Sequence, residues 1–262
     1  RAMTAAAGPP AGHGLGDLTD DAFLGGRLRL WQPARGYRAA TDAVLLAAAC
    51  PALPGQAVLD LGCGAGAAAL CLAARVPGLM LSGLEVQPDY AALAAANAAR
   101  NGVAMAVATG DVGAMPRDLR RGFDQVIANP PYYLAQGTPS ADAGRETALR
   151  EDRPLADWIA AARARLVPGG WLTLILGADR LGTALAAMEG RLGSVAVLPL
   201  SPRPGRAAVR VLIRARKGGR AALRLLAPLV LHAAPSHPGD GEDHTPEAAG
   251  ILRDAAAIRR FD

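Results

Sequence analysis

The sequence predicts a doubly wound α/β fold, a mostly parallel sheet with helices on both faces. Three observations point there. Short apolar runs bounded by Gly, Pro, Asn or Asp alternate with longer Ala/Leu-rich runs of helical length. The run Ala57–Leu61 opens directly into Gly62-Cys63-Gly64-Ala65-Gly66 and then into a helix, which brings bare backbone N–H groups close to a ligand. The strand ends that follow carry Glu85, Asp111 and Asn129, and open parallel sheets bind ligands outside the carboxyl ends of their strands.

Residues 1–19 are expected to be a flexible tail and residues 20–262 one domain. DAFLGGRLRLWQP, from near Asp20 to Pro33, alternates Leu28 and Leu30 with Arg27 and Arg29, as a hairpin does. GYRAATDAVLLAAAC opens a helix with Thr41 or Asp42 near its start and Val44, Leu45, Leu46 and Ala49 on its apolar side, and Pro51 stops it. The helix after the glycine turn runs to about Arg75, and a second strand over 79–84 ends at Glu85. A helix from Pro88 to Arg100 is closed by Asn101-Gly102. Residues 103–108 make a third strand ending at Gly110-Asp111, and 123–128 a fourth that delivers Asn129-Pro130-Pro131-Tyr132. A loop over 134–152 precedes a helix at 154–166, a VPGG turn and a strand at 171–176. A helix at 180–189 leads to strands at 194–199 and 207–215, with a further strand at 223–232. PSHPGDGEDH is a loop, and Thr245-Pro246 caps a last helix to about Ile258.

With 262 residues the chain can bury a full core. The formal charge is +5 and Lys217 is the only lysine, an arginine bias that makes residue type weak evidence for nucleic acid. Cys50, Cys63 and Cys71 lack metal-ligand spacing and fit a reducing compartment. No apolar run reaches the roughly 18–20 residues of a membrane span, and no signal-peptide pattern opens the chain. A soluble, cytoplasmic protein with no membrane partner is the expectation.

Asn129-Pro130-Pro131-Tyr132 has its own chemical logic. An amino group conjugated to a ring is a poor nucleophile because its lone pair is delocalised. The Asn129 side-chain oxygen and the Pro130 carbonyl can accept both of its protons, which favours a pyramidal nitrogen. The prolines carry no competing N–H and restrict φ. Tyr132 offers a flat face for a planar group, worth about 1–3 kcal/mol for a base.

VLDLGCGAG, Glu85, Gly110-Asp111 and NPPY together resemble the amino-methylating branch of class I S-adenosylmethionine-dependent methyltransferases. GYRAATDAVLLAA resembles that branch's displaced cofactor-covering motif. QP-GYR-TDAVLL, NPPYY and PGRAAVRVLIRARKGG followed by HTPEAAGIL resemble bacterial tRNA adenine-N6 methyltransferases acting beside the anticodon of a valine tRNA. The resemblance implies a seven-stranded Rossmann-like sheet whose last strand is antiparallel. It implies that Asp60, Gly62, Cys63 and Gly64 hold the methionine end of S-adenosylmethionine. Glu85, with Val86 beside it, would bind the ribose, and Asp111 and Val112 the adenine. Tyr37, Arg38 and Asp42 fall in the covering motif. Asn129, Pro130 and Tyr132 would be catalytic, with Asn129 also facing the cofactor, and Tyr132, Tyr133 and Arg145 would contact the acceptor. The sulfonium brings an activated methyl, so no metal is required.

Between Glu189 and Asp240 there is no acidic residue, while Arg206, Arg210, Arg214 and Arg216 have even spacings that place them on one face of a strand. Arg206, Arg210 and Arg214 are therefore expected to bind phosphates of tRNA, in a salt-dependent way. His13, His232, His237 and His244 have no carboxylate or cysteine partner at metal-ligand spacing and are expected to be solvated. Alternatives are another RNA or DNA base, or a release-factor glutamine, whose enzymes carry a helical domain before the cofactor motif where only a tail and one helix stand here. A nicotinamide-dependent oxidoreductase is disfavoured by NPPY and the covering motif, and a non-catalytic tRNA-binding module by intact Asn129 and Glu85. The oligomeric state is not legible, a monomer being the simpler expectation.

Overall fold

The computed structural model describes residues 14–131, 133–134, 150–151, 153–236 and 243–262. The chain opens with a hairpin of β1 (Leu18–Phe23) and β2 (Leu28–Pro33), turning through Gly25 and Gly26, both at positive φ. α1 (Thr41–Ala49) follows, then β3 (Ala57–Leu61), α2 (Ala67–Arg75), β4 (Met80–Glu85), α3 (Pro88–Arg100), β5 (Met105–Thr109) and β6 (Phe123–Ala128). Beyond two-residue β7 (Tyr133–Leu134) and β8 (Arg150–Glu151) come α4 (Leu155–Arg165), β9 (Leu166–Gly177), α5 (Leu181–Met188), β10 (Gly193–Ser201) and β11 (Arg210–Arg216). Short β12 (Arg224–Leu225) and β13 (Leu229–Val230) precede α6 (Pro246–Asp254).

Seven full strands lie in the order β10-β11-β9-β6-β3-β4-β5, and β12 and β13 add to the outer edge of β10. β9, β6, β3, β4 and β5 are mutually parallel, while β11 runs antiparallel to both β9 and β10. The antiparallel seventh strand of the resemblance is present. β3 is buried throughout because helices cover both faces. Val58, Ile175 and Leu212 point to the layer holding α1, α2 and α6, whereas Leu59, Leu174 and Ile213 point to α4 and α5.

Three elements differ from expectation. The VPGG segment is part of β9, because Gly169 at φ 80° and a register shift against β6 absorb it as an irregularity. The strand expected at 223–232 is two short pieces, since Pro228 supplies no N–H between them. α6 stops at Asp254, where Ala255 turns left-handed, and the Ile258 N–H instead donates to the Ala48 carbonyl on α1. Thr245 caps it as expected, accepting from the Ala248 N–H at 3.2 Å. Among the described residues no helix is long and apolar enough to cross a membrane.

The hairpin is bolted to α3. Asn97 Oδ1 accepts from the Trp31 N–H at 2.8 Å, and its Nδ2 donates to the carbonyls of Trp31 and Ala65. One turn on, Asn101 treats the N–H and C=O of Arg29 in the same way. Arg100 lies over the Trp31 ring and pairs with Asp20.

Candidate active site

The sheet's register builds the site. Leu61 at the end of β3 is paired with Leu84 on one side and Ala128 on the other, so Glu85 and Asn129 both emerge one residue beyond it. They flank the glycine turn two strand spacings apart, about 10 Å. Asp111 follows β5, whose Thr109 pairs with Glu85. The strand order reverses between β3 and β6, so the glycine turn and the Asn129 turn border the crevice at the switch point.

The turn residues Gly62 and Gly64 have φ of 70° and 53°, which L side chains rarely adopt. A Cβ on Gly62 would come within 2.7 Å of the Trp158 ring of α4. The Gly64 N–H donates to Glu85 Oε2 and the Gln87 N–H to Oε1, both at 2.9 Å, so the carboxylate is held by main chain at both oxygens. Burial raises the Glu85 carboxyl, against these two N–H groups. Asp60 is 2% exposed and accepts from the Ala69 N–H at 3.2 Å. Burial first, and the Glu85 charge as well, push its carboxyl up to about 7. Cys63 is buried in the turn and Val112 below the rim, while Val86 is 55% exposed beside Glu85. Asp111 Oδ1 takes the Gly113 N–H at 2.7 Å and meets Arg153 Nε at 2.5 Å. Burial alone would raise its carboxyl, but those two partners hold it below the ordinary range.

At the turn after β6, Asn129 Nδ2 donates to the Tyr37 hydroxyl at 3.4 Å. Pro130 is buried, and the buried Arg180 at the end of β9 donates to the Pro131 carbonyl at 2.5 Å. Tyr37 thus spans the two turns: a Cβ on Gly64 would lie 3.4 Å from its ring. Beside it in the covering segment, Arg38 pairs with Asp21 at 2.6 Å and Asp42 with Arg210 at 3.2 Å. Tyr132 and Arg145 lie outside the described residues, and Tyr133 is described only as part of β7.

The arginine stripe on β11 is not a solvent face. Arg210, Leu212, Arg214 and Arg216 do share one side, but it is the side that α1 and the C-terminal segment cover. Arg214 is 7% exposed, donates to the Ala49 carbonyl and lies 4.2 Å from the Phe261 ring centroid. The expectation that it binds phosphate is corrected: its guanidinium is used inside the protein. Arg216 stacks on Trp171 at the end of β11 away from the site. Only the upper end qualifies, with Arg210 at the rim and exposed Arg206 in the β10–β11 connection. The histidines also differ from expectation, since His232 Nδ1 lies 2.6 Å from Asp243 Oδ1 and stacks on His244. His13 and His237 lie outside the described residues. No group of three His, Cys, Asp or Glu able to hold a metal occurs among the described residues.

The sequence did not single out Arg153, Trp158 or Arg180. They reach the site from just before α4, from α4 itself and from just beyond β9, across 42 to 96 positions, and no local pattern marks them. Close backbone approach at two glycines, two buried carboxylates and one exposed aliphatic side chain fit a cationic nucleoside such as S-adenosylmethionine.

Residues 39–200 match the family model described as the methyltransferase small domain. A tRNA1(Val) (adenine(37)-N6)-methyltransferase from Porphyromonas gingivalis is 32% identical over 198 residues, covering 70% of this chain and 77% of that protein. One from Yersinia enterocolitica is 29% identical over 178 residues, 66% and 70% of the two chains. Among solved structures, a predicted O-methyltransferase from Agrobacterium tumefaciens superposes with a TM-score of 0.66 at 31% identity, over 83% of this chain and 98% of that one. The fold is shared with a Thermus thermophilus 16S rRNA methyltransferase bound to S-adenosylmethionine and guanosine, at a TM-score of 0.53 and 20% identity, over 77% of this chain and 50% of that one. With its sheet order, glycine turn and rim carboxylates, the chain belongs to the methyltransferase small domain family and is an S-adenosylmethionine-dependent methyltransferase.

Proposed function

We propose that this enzyme methylates the exocyclic N6 amine of an adenine in tRNA, the anticodon-loop adenine of a valine tRNA being the favoured target. The observation that carries the reading is the emergence of the Asn129-Pro130 turn beside the glycine turn, on the same rim as Glu85. The names of the relatives at about 30% identity support the base and the RNA.

When bound, S-adenosylmethionine supplies an activated methyl on a sulfonium. Asp60 would take the cationic methionine end, with Gly62, Cys63 and Gly64 allowing close approach and Tyr37 covering it. Glu85, fixed by two N–H donors, retains lone pairs for the ribose hydroxyls, and Val86 offers an apolar wall. Asp111, oriented by Gly113 and Arg153, would accept from the cofactor's adenine amine next to Val112. The acceptor amine would donate to Asn129 Oδ1 and the Pro130 carbonyl, with Tyr132 under the base. Holding the nitrogen, methyl carbon and sulfur in line within roughly 3–3.5 Å is then the enzyme's main task. A paired base would have to swing out at a cost of a few kcal/mol, less in a loop. Arg206, Arg210 and Arg145 are assigned to the RNA backbone.

Undermodified bulk tRNA, ribosomal RNA and a release factor, each incubated with labelled cofactor, test the reading by digestion and mass spectrometry. N6-methyladenine from the tRNA alone is expected. Label appearing only in ribosomal RNA or in glutamine would overturn it.

A further inference from the structure

Tyr37 touches both halves of the site. Its ring lies over Gly64 and stands 6.5 Å from that of Tyr90, whose hydroxyl donates to the Tyr37 carbonyl at 2.9 Å. The main chain that carries the phenol is therefore pinned. At its tip, the hydroxyl receives Asn129 Nδ2.

A carboxamide has two chemically opposite ends, and only the oxygen end can accept from an amine. A hydroxyl can serve either end, so its own proton must be directed. Burial first, and then the charges of Asp42, Asp60 and Glu85, push the Tyr37 phenol well above its ordinary value, so it stays protonated. A protonated phenol keeps oxygen lone pairs, and the Asn129 NH2 group, 3.4 Å away, donates to one of them, which turns the phenolic proton away from Asn129.

We propose that Tyr37 is a positioning residue for methyl transfer: by accepting from Asn129 Nδ2 at 3.4 Å, its hydroxyl turns Asn129 Oδ1 toward the acceptor amine. This rests on the assignment of Asn129 as the acceptor-binding residue. It separates the covering segment's work into two parts, the ring serving the cofactor and the hydroxyl serving the acceptor.

Tyr37→Phe keeps the ring and removes the contact. Single-turnover methyl transfer to tRNA at saturating cofactor is measured for the wild type, Tyr37→Phe, Asn129→Ala and the double variant, with cofactor affinity by calorimetry. Tyr37→Phe is expected to slow transfer about tenfold with cofactor affinity within about twofold. In the Asn129→Ala background the same change is expected to alter the rate by less than about twofold. Equal losses in both backgrounds, or a Tyr37→Phe enzyme as fast as the wild type, would overturn the proposal. A readout independent of the acceptor is the side-chain amide signal of Asn129 in the 15N–1H spectrum of the cofactor-bound protein, identified by its loss in Asn129→Ala. It should shift in Tyr37→Phe, and an unmoved signal would overturn the role of Tyr37 whatever the acceptor proves to be. Wild-type protein that binds cofactor but leaves adenine in tRNA unmethylated would sink the functional reading instead.

Discussion

Asn129 and Glu85 leave neighbouring strand ends but should fail in different ways. Under the proposed function, Asn129→Ala removes a preorganised hydrogen-bond acceptor, of order 3 kcal/mol in the transition state. It should lower kcat at least about 100-fold with little change in cofactor affinity, as steady-state kinetics and calorimetry would show. Glu85→Ala removes a carboxylate aimed by two N–H groups and should weaken cofactor binding at least about tenfold in the same calorimetry. Asp60 makes the site sensitive to pH. Its carboxyl is raised to about 7, so the folded apoprotein holds a proton there that the unfolded chain releases near the ordinary carboxylate range. That proton stabilises the fold below the unfolded value, and the contribution is lost as pH rises to about 7. A cationic cofactor prefers the ionised form, so affinity should climb as pH passes through about 7 and level off above. Asp60→Asn should flatten that profile in calorimetric titrations. Glycines, Glu85 and Asn129 could be read from the sequence because strand ends in a parallel sheet share one rim. Arg153, Trp158 and Arg180 could not, because only the folded crossover brings α4 and the end of β9 over the turns.

The hairpin shows what an element needs beyond its own pattern. Asn97 is fully buried and satisfies three backbone groups, two on Trp31 and one on Ala65 in the glycine turn. Orphaned buried groups cost about 1–3 kcal/mol each, so Asn97→Ala should destabilise the protein by at least about 3 kcal/mol in denaturant unfolding. Asn101→Ala, on the exposed side, should cost about 1 kcal/mol. β11 teaches the complementary lesson. Period two correctly groups its arginines, yet period alone does not say what covers them. Leu212, on the same face and fully buried, is the residue that separates the two readings. The break at Pro228 and the retention of Gly169-Gly170 inside β9 have the same origin. Proline's missing N–H ends a ladder, whereas glycine's freedom lets one continue around a bulge.

For the molecule as a whole, the alternation of strand and helix was enough to read the layers, while the reversed order of the last two long strands came only from family resemblance. Charge must be read in three dimensions too. Arg206→Ala should weaken tRNA binding and reduce the slope of affinity against salt by roughly 0.7–1, measured by filter binding. Arg214→Ala should leave that slope unchanged and lower the melting temperature, because its contacts are the Ala49 carbonyl and Phe261. The paired carboxamides of α3 have a consequence for solubility. A two-stranded ribbon ordinarily leaves an open rail that invites another polypeptide to zip alongside. Here Asn97 and Asn101 occupy that rail at Trp31 and Arg29 from within the same chain. Removing both should therefore reveal itself as concentration-dependent self-association in sedimentation, a hazard the native protein avoids with two side chains instead of a third strand.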